Sequence, residues 1–181
     1  MTRIIAFLRA INVGGYIVKM NELHGIFESL GFLNVETFIA SGNVIFETSA
    51  KDLKTLEGRI KKKLKEELGY EVATFVRTDV ELAAIADYMP FKKPELDAAM
   101  ALNVVFLSEP LDNESKKKLM ALKTDIDDFH VRGREVYWLC LKKQSESTFS
   151  NVLMERTLGR QSTFRGINTI HKMAGKYPPE S

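Results

Sequence analysis

The sequence predicts an α+β protein built from two ferredoxin-like (βαββαβ) halves, each with an antiparallel sheet and helices on one face. First, segments with strand and helix periodicity follow the order βαββαβ twice along the chain. Second, each half has a hairpin with a central glycine and a second long helix that ends in Leu-Gly. Third, each fourth strand ends in an arginine, Arg77 or Arg165, followed by another helix. These shared features indicate an internal duplication, although few residues are identical between the halves.

The first half begins with a strand in which every position is apolar. Apolar residues at helical spacing then predict a helix that ends at Gly31 and a longer one that ends at Gly69. Between these helices, Ser-Gly-Asn at residues 41–43 predicts a turn that joins two strands, since these residues suit positive φ. The predicted elements are strands 4–8, 35–39, 44–46 and 72–76 and helices 23–30 and 53–68.

The second half repeats this order after a linker that contains Pro90 and Pro94. Its hairpin turns around Gly133, and its second helix stops at Gly159. The predicted elements are strands 102–107, 126–131, 136–141 and 162–164 and helices 114–122 and 149–158. The predicted domain division is a first half at 1–86, a linker at 87–100, and a second half with a C-terminal helix at 101–177.

The central strands of both sheets are apolar at consecutive positions instead of alternating apolar and polar residues. A sheet with one solvated face shows that alternation, so both faces of these sheets must be covered. Either the two sheets of one chain pack on each other, or a second copy of the chain covers them. We favour the first arrangement, in a chain that can also form a homodimer.

Composition excludes several classes of protein. The chain of 181 residues is 45% hydrophobic and has a formal charge of +2, too close to neutrality to imply a polyanionic partner from net charge alone. Cys140 is the only cysteine, which excludes an intramolecular disulfide or a multi-cysteine metal site and makes the cytoplasm the expected compartment. No signal peptide, membrane span, metal or cofactor is expected.

Two glycine-bearing connections are expected to meet at one end of the first sheet. In a βαββαβ unit, the end of strand one, the start of helix one and the turn between strands two and three share that end. Free N–H groups at a helix start, adjacent glycines and nearby cations would suit a phosphate or carboxylate. These residues, which we call the first rim, are Arg9, Asn12, Gly14, Gly15, Lys19, Ser41, Gly42 and Asn43. The alternative is structural: a flexible turn, a hairpin connection and an arginine at a strand end.

Six stretches of the chain form a recognisable set, led by Arg-Ala-Ile-Asn-Val-Gly-Gly at 9–15, Leu-Gly-Phe at 30–32 and Ser-Gly-Asn-Val-Ile-Phe at 41–46, with 19–23, 105–108 and 131–137. Together they resemble the domain of unknown function 1697 family of bacterial proteins. The resemblance spans nearly the whole chain and implies an α+β fold with no established activity. Members of that family usually end in Arg-Asn-Trp-Asn-Thr, whereas residues 165–169 here read Arg-Gly-Ile-Asn-Thr. A stacking role of that tryptophan would be lost here, whereas Ile167 can replace it in packing.

A binding module is the function that these observations favour. The expected partner is a small anionic ligand, bearing phosphate or carboxylate, or a nucleic acid, held at the first rim. Arg165, Asn168 and Thr169 form a second candidate site. The alternatives are a phosphoryl- or acyl-transfer enzyme and a self-associating interaction protein. The enzymatic reading lacks a recognisable motif, the three histidines fall on different elements, and Cys140 alternates with core residues as a buried, inert thiol.

Nucleic acid is the less favoured partner. The basic run at 59–65 lies on the exposed face of an amphipathic helix and is offset by Glu57, Glu66 and Glu67, so a solvated face explains it. A βαββαβ unit is also the RNA-recognition fold, whose third strand carries stacking aromatic residues. Val-Ile-Phe at 44–46 lacks that motif, and core packing explains the aromatic pair at 137–138.

Overall fold

Two four-stranded antiparallel sheets with helices make up the fold, which confirms the predicted α+β class. The structure is a computed structural model that describes residues 1–9, 11, 15 and 17–180, with only the backbone of residues 40 and 41. In this part of the chain the strands are Thr2–Arg9 (β1), Leu33–Phe38 (β2), Ala40–Thr48 (β3), Ala73–Thr78 (β4), Ala101–Phe106 (β5), Asp127–Arg132 (β6), Glu135–Cys140 (β7) and Thr163–Gly166 (β8). The helices are Met20–Glu28 (α1), Leu53–Leu68 (α2), Asp79–Asp87 (α3), Lys93–Ala98 (α4), Asn113–Met120 (α5), Asn151–Leu158 (α6) and Ile167–Lys176 (α7).

The chain divides into two compact units, each with its own sheet. The first unit comprises Met1–Ile85 and Lys172–Ser181, and the second comprises Ala86–His171. The strand order is β2-β3-β1-β4 in the first sheet and β6-β7-β5-β8 in the second, the same ferredoxin-like topology twice. The region predicted as a linker, residues 87–100, contains α4.

The strand register makes the duplication exact enough to assign equivalent positions. In the first sheet, Ile4 on β1 lies opposite Phe46 on β3 and Thr78 on β4. In the second sheet, Asn103 on β5 lies opposite Trp138 on β7 and Gly166 on β8. The equivalent pairs set by this register are Ile4 and Asn103, Phe46 and Trp138, Thr78 and Gly166, and Arg77 and Arg165. The two halves can therefore be compared residue by residue.

The arginines that end the fourth strands repeat a hydrogen bond as well as a position. Arg77 Nη1 donates to the backbone oxygen of Val76 at 2.8 Å, and Arg165 Nη1 donates to that of Phe164 at 2.8 Å. Arg77 is fully buried. Each guanidinium thus bonds the carbonyl group of the residue before it, which indicates a structural role common to both halves.

Helix α2 begins and ends where the local chemistry predicts. Asp52 caps the start of α2 by accepting from the N–H groups of Lys54 and Thr55, and Gly69 ends that helix with a φ of +81°. Between these ends, the helix buries a leucine and isoleucine stripe against the sheet, and each such side chain contributes about 1.5–3 kcal/mol. The core on the helix side of the first sheet includes Ile4, Ala6, Leu23, Phe27, Phe46, Leu56, Ile60 and Leu64.

Both faces of the central strand β1 are buried, as the unbroken apolar sequence predicts. Side chains alternate between the faces of a strand, so Ile5 and Phe7 lie on the face opposite Ile4 and Ala6. All four side chains are fully buried.

Two predictions about the first half were wrong. The connection between β2 and β3 turns at Ile39, with a φ of +65°, while residues 41–43 lie within β3. A β-branched residue at positive φ is a genuine outlier, so no turn pattern could find it. Glu57 is also buried rather than on the solvated face of α2, because its Oε2 atom accepts a hydrogen bond from the N–H group of Val76 at 2.9 Å.

Candidate functional site

Several described residues of the first rim lie at one end of the first sheet, as the topology predicts. Asn43 on β3 lies opposite Phe7 on β1, two residues before Arg9 ends that strand. Met20 at the start of α1 accepts a hydrogen bond from the hydroxyl of Thr37 on β2 at 3.2 Å, so α1 begins at this same end. The rim residues placed there are Arg9, Gly42 and Asn43, with Lys19 directly before α1. Of the others, Gly15 has a φ of +83°, while Asn12, Gly14 and the Ser41 side chain lie outside the described residues.

A side chain of the first rim has a clear structural task. The Asn43 side chain is buried, and its amide Nδ2 donates to the backbone oxygen of Phe38 at 3.1 Å, across the turn at Ile39. This bond stabilises the strained connection between β2 and β3. Ligand binding by the first rim stays a prediction, and the Asn43 amide is committed to the backbone.

A cavity of about 430 Å³ lies in the second unit at the start of α7. We call it the α7 pocket. Its apolar wall includes Met89, Leu96 and Met100, and its polar wall includes Asn103 and Gln144. The end of β8 and the first turn of α7 complete it with residues Gly166, Ile167, Asn168 and Thr169. Asn168 and Thr169 of the second predicted site therefore line a cavity, and this size is typical of ligand pockets.

Asn103 is the unusual residue of the α7 pocket. It is only 4% exposed, and its amide Nδ2 has no hydrogen-bond partner among the described residues. Its Oδ1 atom lies 3.8 Å from where a Cβ atom on Gly166 would stand. A buried amide without a partner costs about 1–3 kcal/mol, so native proteins keep such groups mainly where they have a use.

The start of α7 lacks the cap that closes the equivalent helix of the first half. Before α3, the hydroxyl of Thr78 accepts from the N–H group of Glu81 at 3.1 Å, and the Glu81 carboxylate accepts from the N–H group of Thr78 at 2.8 Å. This reciprocal capping box satisfies the first turn of α3. At the equivalent positions before and in α7 stand Gly166, which has no side chain, and Thr169. Among the described residues, these two positions thus cannot repeat the capping box of α3 at the start of α7, which borders the pocket.

Arg165, the third residue of the second predicted site, does not line the α7 pocket. Its Nη1 atom donates to the Thr163 hydroxyl at 3.0 Å and to the Phe164 carbonyl group. Burial lowers the pKa of the Arg165 guanidinium to about 10, so it stays charged at neutral pH. Arg165 directly precedes Gly166 and thus adds a positive charge near the start of α7.

Two other cavities contain polar groups that already have protein partners. In a cavity of about 370 Å³, the buried Asp127 carboxylate accepts from Trp138 Nε1 at 2.9 Å and from the hydroxyls of Ser147 and Thr124. In a cavity of about 320 Å³ in the first unit, Glu36 accepts from the Tyr177 hydroxyl at 2.6 Å, which holds the pKa of Glu36 below its usual range. These contacts explain the polar groups as structural.

The aromatic residues of the second sheet are unsuited to stacking on bases. Tyr137 on β7 faces away from the helices but is only 1% exposed, and Trp138 belongs to the core on the helix side. Cys140 is fully buried in that core, and burial raises the pKa of its thiol. An inert thiol is thus what the surroundings of Cys140 favour, as the sequence predicts.

Asn103 and Gln144 are lining residues of the α7 pocket that the sequence did not predict. Asn103 carries a signal in retrospect, because it is the one polar residue in the run Leu-Asn-Val-Val-Phe at 102–106. A polar residue inside an apolar strand needs a partner or a purpose. Gln144 lies in a short 3₁₀ helix, Gln144–Glu146, whose sequence gives no such signal.

Comparison with known proteins gives a family and a fold. Residues 1–137 match the model of a family described as a protein of unknown function, DUF1697. The chain belongs to this family. The DUF1697 fold is seen again in the conserved bacterial protein SP0830 from Streptococcus pneumoniae, which is 21% identical with a TM-score of 0.72 and aligns over 96% of this chain and 97% of its own. No curated protein shows significant similarity to this DUF1697 chain.

Over the described ranges, the helices are all too short or too polar to cross a lipid bilayer.

Proposed function

We propose that this DUF1697 protein binds a small ligand in the α7 pocket of its second half. The observation that carries this proposal is the buried amide of Asn103, which has no partner among the described residues and lines a cavity at the start of α7. Donors that a protein leaves unsatisfied together, in one cavity, are suited to an acceptor on a ligand.

The polar groups of the α7 pocket contribute different hydrogen bonds to the ligand. The Asn103 amide and the first N–H groups of α7 donate to the ligand, while Asn168, Thr169 and Gln144 offer further hydrogen bonds at the pocket wall. Apolar side chains form the remaining wall and remove the body of the ligand from water. Hydrogen bonds orient the ligand, and apolar burial supplies most of the affinity.

The first rim is the weaker candidate for the same activity. Arg9 and Lys19 provide positive charge at that end of the sheet, which suits an anion, but the Asn43 amide is used in the turn. We also propose the cytoplasm as the compartment, since a chain with one buried cysteine needs no oxidising surroundings to fold.

A thermal-shift screen of carboxylates, amides and phosphorylated metabolites tests this proposal. The proteins compared are the wild type, Asn103→Ile, and Arg9→Ala as a matched control in the first rim. We expect ligands that raise the melting temperature of the wild type and of Arg9→Ala but have no effect on Asn103→Ile. Ligands that stabilise Asn103→Ile as much as the wild type would overturn the α7 pocket as the site.

A further inference from the structure

We propose that the ligand of the α7 pocket is a monocarboxylate with an apolar body, an inference that rests on the proposed function of that pocket. The pocket pairs a polar end, formed by Asn103 and the start of α7, with an apolar wall. An amphipathic molecule with one acceptor-rich end matches that division. Phosphates and neutral ligands are the competing classes.

The charge of the α7 pocket favours a single negative charge. The residues that line it carry no charged side chain in the described part of the chain, so its positive potential comes from the start of α7. A helix start corresponds to roughly half a positive charge, and the partly buried guanidinium of Arg165 just before it adds to that potential. This field suits a monoanion better than a neutral group.

The same field is too weak for a phosphate monoester. Sites that bind phosphate dianions commonly add lysine or arginine side chains to a helix start, since two charges must leave water. The Arg165 side chain is held by the Thr163 hydroxyl and by the backbone, and it lies outside the pocket lining. A carboxylate needs only the donors that the pocket has, namely the Asn103 amide and the N–H groups of α7.

The apolar wall indicates the rest of the molecule. Met89, Leu96, Met100 and Ile167 face the cavity with no polar group among them. Methionine side chains adapt to ligands of different shape, and Met89 and Met100 are exposed at the surface. A short acyl or aryl chain would bury these side chains from water.

The first half offers a charge test of this inference. Glu81 in α3 occupies the position of Thr169 in α7, so Thr169→Glu places a carboxylate where the ligand carboxylate would bind. Thr169→Gln is the matched neutral control. Binding of octanoate and phenylacetate, of octanamide and phenylacetamide, and of phenyl phosphate is measured by calorimetry on the full chain.

We expect the acids to bind the wild type at least about tenfold more tightly than their amides, and more tightly than phenyl phosphate. Thr169→Glu should bind the acids about tenfold or more weakly than Thr169→Gln, which has a neutral side chain of the same size at that position. Acids and amides that bind equally, and both lose binding in Asn103→Ile, would overturn the carboxylate class while the pocket stands. If no compound of either series or of the screen binds, the proposed function itself fails.

Discussion

The two halves of this protein share a topology and a strand register but differ in how they finish one end of the sheet. In the first half, Ile4 fills its position with an apolar side chain, and Thr78 with Glu81 closes the following helix. In the second half the equivalent residues are Asn103, Gly166 and Thr169, which leave an amide without a partner among the described residues and a helix start without that capping box, both beside a cavity. The first half therefore has an apolar side chain and a capping box at positions where the second half has neither.

The second half is the less stabilised of the two at these positions, which is what we expect of a functional site. An unpaired buried amide costs about 1–3 kcal/mol, and loss of a helix cap costs about 1 kcal/mol. Proteins tolerate such local losses chiefly where binding or catalysis needs them, and other residues supply the stability. The residues that differ between the halves are therefore those that we propose for the ligand site, and the shared residues hold the fold.

The largest expected effect comes from giving the first half the polar residue of the second. Ile4→Asn buries an amide in a packed apolar core and leaves a gap, so we expect a loss of about 3–5 kcal/mol in unfolding free energy. Urea denaturation followed by circular dichroism measures it, with Ile4→Val as a control that costs about 0.5–1.5 kcal/mol. A loss below about 1 kcal/mol for Ile4→Asn would contradict the assigned equivalence.

The reciprocal change should stabilise the second half. Asn103→Ile removes the unpaired amide and fills part of the α7 pocket, so we expect a gain of about 1–2 kcal/mol without ligand. Trp138, the only tryptophan, lies opposite Asn103 on β7, so its fluorescence reports on this half during urea denaturation. A variant less stable than the wild type would show that Asn103 serves the core instead of a ligand.

A smaller gain is expected from building the missing cap of α7. The double variant Gly166→Thr with Thr169→Glu recreates the capping box of α3 and should add about 0.5–1 kcal/mol. A Cβ atom on Gly166 would stand at ordinary contact distance from Asn103, so the change fits sterically. Thr78→Ala, which removes the existing cap of α3, is the matched control with a loss of similar size. Thermal denaturation detects both, and destabilisation of the double variant would argue that α7 is already satisfied.

The architecture could be predicted because the spacing of apolar residues along the chain indicates which side of each strand or helix is buried. Apolar strands, leucine stripes and the glycines that end helices defined the ferredoxin-like halves, and Arg77 and Arg165 marked the repeat. Ile39 was missed because the hydrogen bond from Asn43 to Phe38 holds a turn that local preference disfavours. Glu57 was missed because its partner, the N–H group of Val76 on β4, is distant in sequence.

The candidate site was only half predictable. The chain order placed Asn168 and Thr169 at a helix start, but the partner across the sheet, Asn103, becomes adjacent to Gly166 only through strand pairing. No motif encodes a missing hydrogen bond. The unpaired Asn103 amide becomes evident when equivalent positions of the two halves are compared. That comparison requires the strand register, which the sequence alone does not provide.

The smallest expected effect is on the stability of the first half at acid pH. The Tyr177 hydroxyl lowers the pKa of Glu36, so this carboxylate stabilises the fold above its unfolded pKa near 4.5, and that contribution is lost as the pH falls through the lower folded value. Because Glu36 is largely exposed, the contribution is under about 0.5 kcal/mol. Tyr177→Phe should reduce the loss of stability between neutral pH and acid pH, as measured by urea denaturation. An unchanged pH dependence would show that the Tyr177 contact leaves the Glu36 pKa unaltered.

The most direct test of the α7 pocket is a nuclear magnetic resonance titration that follows individual amide groups. Phenylacetate is added to the labelled protein, and the Asn103 side-chain signal is assigned through its loss in Asn103→Ile. We predict saturable shifts of that signal and of the backbone amides of Gly166 and Asn168, with the amide of Gly42 in the first rim unchanged. Shifts confined to Gly42 and its neighbours, or an unmoved Asn103 signal at saturating phenylacetate, would contradict the assignment of the site.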